Sequence, residues 1–303
     1  MRRILSVMLI CSACVAWPQA RTGKQQAAPS GGAESETARL NEWFAARWDE
    51  QLDFSPIQKT VLGMKDDNDE IDDFSEAAAD RQLAWLRRAT AEMKSTFDYE
   101  RLTPEGQMSY DIWAYGLERA ERGVPFRRRL YVFTQMQGPQ AFLPQFLIAF
   151  HKVEEPADMD AYIARIGGIS RGLRQLLERT KLGAEEGVRP PRFAYEGVLQ
   201  QARGLVSGAP FEGEGDAPLW ADANAKIDAL LEAGDIDEAR ADELRAAARE
   251  ALLEHFEPAY DELIAWFESD LPNTDEEAAG AGALPRGLEY YDHRLAVATT
   301  TDM

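Results

Sequence analysis

From Leu40 onward the apolar side chains return every three or four positions, and a chain patterned that way builds helices that each bury one face. Leu40, Trp43, Phe44, Trp48 and Leu52 share such a face until Phe54-Ser55-Pro56, where the residue before proline is pushed out of the α region. Ser75 is placed to cap a second helix carrying Ala79, Leu83, Leu86, Thr90 and Met93. Thr103-Pro104-Glu105 opens a third, with Met108, Ile112 and Tyr115 as its apolar side. A further apolar helix closes at His151. The strongest pattern starts near Asp158 and runs to about Lys181 through Met159, Tyr162, Ile163, Ile166, Ile169, Leu173, Leu176 and Leu177. Asp237 to Leu271 gives another long pattern, in which Pro258 must sit at a kink or a helix start because it lacks the N–H that a helix interior needs. Strand character is confined to Arg129–Gln135, read as a short strand or extended segment. The expected class is therefore all-α, mainly helical with at most a short strand pair, and without a solenoid repeat.

The first residues belong to a different logic. Arg2 and Arg3 precede an apolar run, Ile4 to Ala16, that is too short to span a bilayer and suits a secretory signal over residues 1–20. Two processing routes stay open: cleavage after Ala16 or Ala20, or lipidation of Cys14 in the degenerate lipobox Ser12-Ala13-Cys14. Arg21 to Glu36, rich in Gln, Ala, Gly and Ser, reads as a flexible linker, leaving 37–303 as one helical domain. Both cysteines, Cys11 and Cys14, lie in the signal segment, so the body has neither thiol chemistry nor an internal disulfide. With 53 acidic against 33 basic residues the formal charge is −20, which repels phosphate backbones and argues against nucleic acid as a partner. An exported protein of the periplasm or cell envelope, touching the membrane only through a lipid anchor, is the expectation.

Chemistry is hard to find in the residues themselves. Asp66-Asp67-Asn68-Asp69-Glu70-Ile71-Asp72-Asp73 is dense in oxygen ligands, but an EF-hand frame begun at Asp66 puts Ile71 where glycine must turn and Ala77 where the bidentate acid belongs. It reads instead as a solvated acidic loop leading into the Ser75 cap. His151, His255 and His293 are too far apart in sequence for a helical zinc pair, and no His-Glu-x-x-His, Gly-x-Ser-x-Gly or phosphate loop occurs. The amides Gln135 and Gln137, on the turn before Gly138-Pro139, and the phenols Tyr290 and Tyr291 are candidate contacts for a peptide-like substrate, set against local turn chemistry and ordinary packing.

Several strings, taken in order, carry a resemblance. They are Ser55-Pro56 with Thr60-Val61-Leu62-Gly63, then Gly138 with Leu143-Pro144-Gln145-Phe146-Leu147 and His151, then Asp160 to Ile166, Gly187 to Phe193, Ala283 to Tyr291, and Thr299-Thr300-Thr301-Asp302-Met303. In this order they resemble the bacterial family called domain of unknown function 885. The resemblance implies a mainly helical exported protein, commonly a lipoprotein, similar to zinc metallopeptidases. It also implies that the metal motif, His-Glu-x-x-Pro-Gly-His, lies beyond the Thr-Thr-Thr-Asp segment. None of His151, His255 or His293 corresponds to it, so the expectation is no metal ligand, no bound cofactor and no catalytic residue in these 303 residues. Zinc is expected only in a complementary C-terminal half. The chain would then be the N-terminal half of a helical metallopeptidase-like fold, with Gln135, Gln137, His151, Tyr290 and Tyr291 as cleft-wall contacts. The alternative is a non-catalytic helical binding or scaffold protein of the envelope.

Overall fold

Most of the helices start where the sequence supplies a cap or a proline. A computed structural model describes residues 32–300; the signal segment, Cys14 and the first part of the linker lie outside the described residues, as does the end of the Thr-Thr-Thr-Asp string. In chain order the α-helices are α1 (Gly32–Leu52), α2 (Pro56–Val61), α3 (Glu76–Thr96), α4 (Pro104–Gly123), α5 (Pro139–Phe150), α6 (Pro156–Glu185), α7 (Arg192–Leu205), α8 (Pro218–Ala233), α9 (Glu238–Ala251), α10 (Glu257–Asp270) and α11 (Gly287–Thr299). Ser75 Oγ accepts the Ala78 N–H at 3.1 Å, and Thr103 Oγ1 accepts that of Gly106 at 3.2 Å. These side chains take up amide protons that the first helical turn leaves without partners. Of the described residues 74% are helical and 1% are in strand, which makes the fold all-α. Among the described residues strand-like pairing is limited to an isolated bridge between Ala209 and Asp216. Arg129–Gln135 forms no strand; it crosses as irregular chain and drops Phe133 into the core.

Two apolar clusters organise the helices. The larger one is built on α5–α10 around the α6 stripe predicted from the sequence, with Met159, Tyr162, Ile166, Ile169 and Leu173 fully buried. The smaller one joins α1, α3 and α4 through Leu40, Phe44, Met93, Phe97 and Leu102, with Trp43 and Trp113 packed on it. The described part of the linker does not behave as one: α1 begins at Gly32, and Glu36 is buried with its carboxylate against the Asp98 N–H and Arg39. The helix is held in place at its first turns because it has a partner surface there. A correction also applies to α4. Met108 and Ile112 are 64% and 58% exposed, while Trp113 faces α1 and α3, with its ring 5.0 Å from that of Trp43. Tyr110, Trp113 and Ala114, at i, i+3 and i+4, share one helical face just as Met108, Ile112 and Tyr115 do at i, i+4 and i+7, and the larger aromatic surface takes the core.

Pro258 falls where its missing N–H can be tolerated. A π-helical stretch, Leu252–Phe256, joins α9 to α10, and the wider turn makes room for the proline in the first turn of α10. The acidic segment 66–74 lies against α6 at two glycines one turn apart. A Cβ at Gly172 would meet the Phe74 ring at 2.9 Å, and one at Gly168 would meet Ile71 Cβ at 3.2 Å. A helical glycine costs about 1 kcal/mol relative to alanine. Here that loss accompanies close packing of the Ile71–Phe74 segment on the helix.

Candidate functional site

Helix α5 is flanked by three of the five sequence-predicted contacts, Gln135 and Gln137 before it and His151 after it, and its two ends are built differently. At its N-terminus a ladder of amides fixes the turn 134–140. Gln140, fully buried, donates from Nε2 to Thr134 O and to Gln201 Oε1, each at 2.7 Å, and Gln201 Nε2 donates to Gln135 O at 2.7 Å. Its own Oε1 is buried without a hydrogen-bond partner. Gly197 lets the Gln135 side chain lie directly on α7, since a Cβ there would stand 2.4 Å from Gln135 Cβ. Gln135 is half-buried, whereas Met136 and Gln137 project to solvent. Inside α5, Pro144 has no N–H for the carbonyl of Gln140, and the hydroxyl of buried Tyr260 donates to that oxygen instead at 2.5 Å.

At the other end, His151 is 1% exposed and does not line a surface. Its Nδ1 faces Arg165 Nη1 at 2.9 Å and its Nε2 faces the Asp158 carbonyl at 2.8 Å. Guanidinium groups only donate, so Nδ1 must accept and the ring proton resides on Nε2. Burial, with the Arg165 charge beside it, pushes the imidazole pKa down to about 4. Arg165 is itself completely buried and is gripped by the acidic loop. Its Nε donates to Glu70 O at 2.9 Å, and Nη2 donates to Thr60 Oγ1 at 2.6 Å and to Asp67 O at 3.3 Å. Burial lowers its pKa to about 10, partly offset by Asp69, Asp72 and Glu70, so it stays cationic at neutral pH. The loop expected to be merely solvated therefore turns its carbonyls inward around a guanidinium. Lys59, buried beside it, is held by Asp53 at 2.9 Å and Asp67 at 2.6 Å.

The five predicted contacts do not form one constellation. Gln135 and Gln137 precede α5 and His151 follows it, and its 12 residues separate them by about 18 Å. Tyr290 and Tyr291 belong to α11, next to the 124–131 segment: Tyr290 is 9% exposed with its ring 6.0 Å from Phe126, and Tyr291 is 55% exposed. Arg129 ties the approach to α11 into this region through Pro285 O at 2.9 Å and Glu186 at 2.6 Å. His151 and Tyr290 are buried; Gln137 and Tyr291 are accessible and Gln135 partly so. Arg165, Thr60, Gln140, Gln201 and Tyr260 were missed. One signal for Arg165 was present, because it occupies the same helical face as Tyr162 and Ile169, where a charge needs a buried partner.

Among the described residues no three His, Cys, Asp or Glu side chains come together in a way that could hold an ion. His293 stacks on Phe126 at 5.2 Å between ring centres, and both nitrogens of His151 are engaged.

The family model described as "Bacterial protein of unknown function (DUF885)" matches residues 56–303. The chain belongs to this family. No curated protein matches it. Among solved structures it is similar to one titled "The crystal structure of the putative lipoprotein from Colwellia psychrerythraea", with TM-score 0.71 and 15% identity, covering 88% of this chain and 47% of that one. At that identity the likeness is one of fold, and this DUF885 chain spans about half the length of the solved protein.

Proposed function

We propose that this chain is the substrate-flanking helical half of an exported, metallopeptidase-like DUF885 protein and does not hydrolyse peptides by itself. The observation that carries this is a mismatch: 88% of the chain is used to match 47% of the Colwellia protein, while none of its histidines sits among metal-suited donors. Zinc, where the family resemblance implies it, would be held by residues other than those described. The chain's own contribution is a rigid wall, with Gln135 and Gln137 on the amide-braced turn and Tyr291 on α11 available for hydrogen bonds to a peptide.

The envelope location rests on Arg2, Arg3 and the apolar run behind them, together with the likeness to a Colwellia protein titled a putative lipoprotein. No described helix is long and apolar enough to cross a membrane. Cys14 is the proposed site of a lipid anchor, and Cys14→Ser should release the protein from the membrane fraction.

Zinc content and peptidase activity of the purified 303-residue chain test the central claim. Substoichiometric zinc and no chelator-sensitive cleavage are expected. One tightly bound zinc per chain with cleavage abolished by a chelator would overturn it.

A further inference from the structure

From Leu130 to His151 the sequence contains no Asp, Glu, Lys or Arg, although such residues make up 28% of the chain. Burial explains only part of this. α5 turns Leu143, Phe146 and Leu147 into the core, but Phe142 and Phe150 remain 40% and 45% exposed, and Met136 on the preceding turn is 83% exposed. Gln145 and Ala149, on the same outward side as Phe142, are exposed and uncharged. Phe142, Phe146 and Phe150 form a ladder of rings with centres 6.4 and 6.2 Å apart, so the exposed rings continue the buried one. The surface is preorganised as well, because Tyr260 and the Gln140–Gln201 ladder hold the helix and its entry turn from beneath.

We propose that this face, comprising Met136, Phe142, Gln145, Ala149 and Phe150, seats the remaining chain of a polypeptide as long as the Colwellia protein, beyond the part whose fold is shared with it. The length comparison identifies the occupant. The fold shared with that protein accounts for 47% of it, so at least as much chain again must pack against this body or beside it. A rigid, uncharged apolar face on a molecule of formal charge −20 is where such a half can dock without desolvating carboxylates. Anionic lipid is disfavoured by the same net charge. The inference rests on the length of the Colwellia protein alone, so a failed zinc test leaves it standing.

Hydroxyl-radical footprinting read by mass spectrometry, applied to this chain and to the full-length Colwellia protein, tests it. In this chain Met136, Phe142 and Phe150 should be modified at the rates of open side chains. The aligned segment of the Colwellia protein should be protected severalfold after correction for intrinsic reactivity. Equal reactivity in the two proteins overturns the proposal. So does protection in this chain that grows with concentration and disappears with Met136→Gln and Phe150→Gln, which would make the face a self-interface. Protection of this chain by neutral phosphatidylcholine vesicles would likewise overturn it in favour of a lipid surface.

Discussion

Arg165 donates to His151 across 2.9 Å in the interior, so burial, with a cation instead of an acid beside the ring, keeps the imidazole neutral. Protonation would place a hydrogen on Nδ1 where only a guanidinium faces it. The folded pKa, about 4, lies below the ordinary 6.5. Between those values the unfolded chain binds the extra proton and the native chain does not, so stability falls as pH drops through the window and is fully present above it. Urea midpoints measured from pH 7.5 to 4 should decline, with a loss of up to about 3 kcal/mol attributable to this site. His151→Gln, which preserves an acceptor for Arg165, should flatten that decline.

Removing the guanidinium should be worse than removing the imidazole. Arg165→Met leaves Thr60 Oγ1 and the Asp67 and Glu70 carbonyls without their donor, and Arg165→Lys cannot reach all of them from one ammonium. Either change should cost at least about 3 kcal/mol, judging from broken buried charge networks. Limited proteolysis should then cut the 62–74 segment before the helices, because that segment is what the guanidinium fastens to α6.

The hydroxyl of Tyr260 substitutes for the N–H that Pro144 lacks. Tyr260→Phe should destabilise by about 1–3 kcal/mol by leaving a buried carbonyl unsatisfied. Pro144→Ala restores a helical donor to the Gln140 oxygen, so the same Tyr260→Phe change should cost less in that background. Four variants in a chemical-denaturation cycle give the coupling, and additivity would show that the hydroxyl has no such role.

How much of this was legible in the sequence differs from helix to helix. α6 could be read residue by residue, since a single apolar stripe excludes other orientations, and the Ser75 and Thr103 caps announce their own geometry. α4 could not, because two apolar stripes share its period and only the partner surface decides between them. The Arg165 clasp was hidden for a related reason: its acceptors are two backbone carbonyls of the 66–74 loop, which leave no mark in a sequence, and the side chains of Thr60, Asn68 and His151, which come from separate stretches of the chain. Of the candidate contacts, the buried ones, His151 and Tyr290, are aromatic rings whose polar atoms say nothing about which side of a helix faces the core.

The reassigned face of α4 can be checked with two methionines that differ only in environment. Met93 on α3 is 0% exposed within the smaller core, and Met108 on α4 is 64% exposed. Met93→Ala should cost about 2–5 kcal/mol, through lost transfer energy and the cavity left behind. Met108→Ala should stay within about 0.5 kcal/mol of the parent, as surface changes do. Ile112→Gln should be similarly mild, while Trp113→Phe should lose the hydrogen bond from the indole to Thr90 Oγ1 at 3.0 Å along with part of the packing on Trp43. If Met108→Ala and Ile112→Gln unfold the chain as readily as Met93→Ala, the stripe Met108, Ile112 and Tyr115 is the buried one after all. Thermal melts of the four variants decide between the two faces.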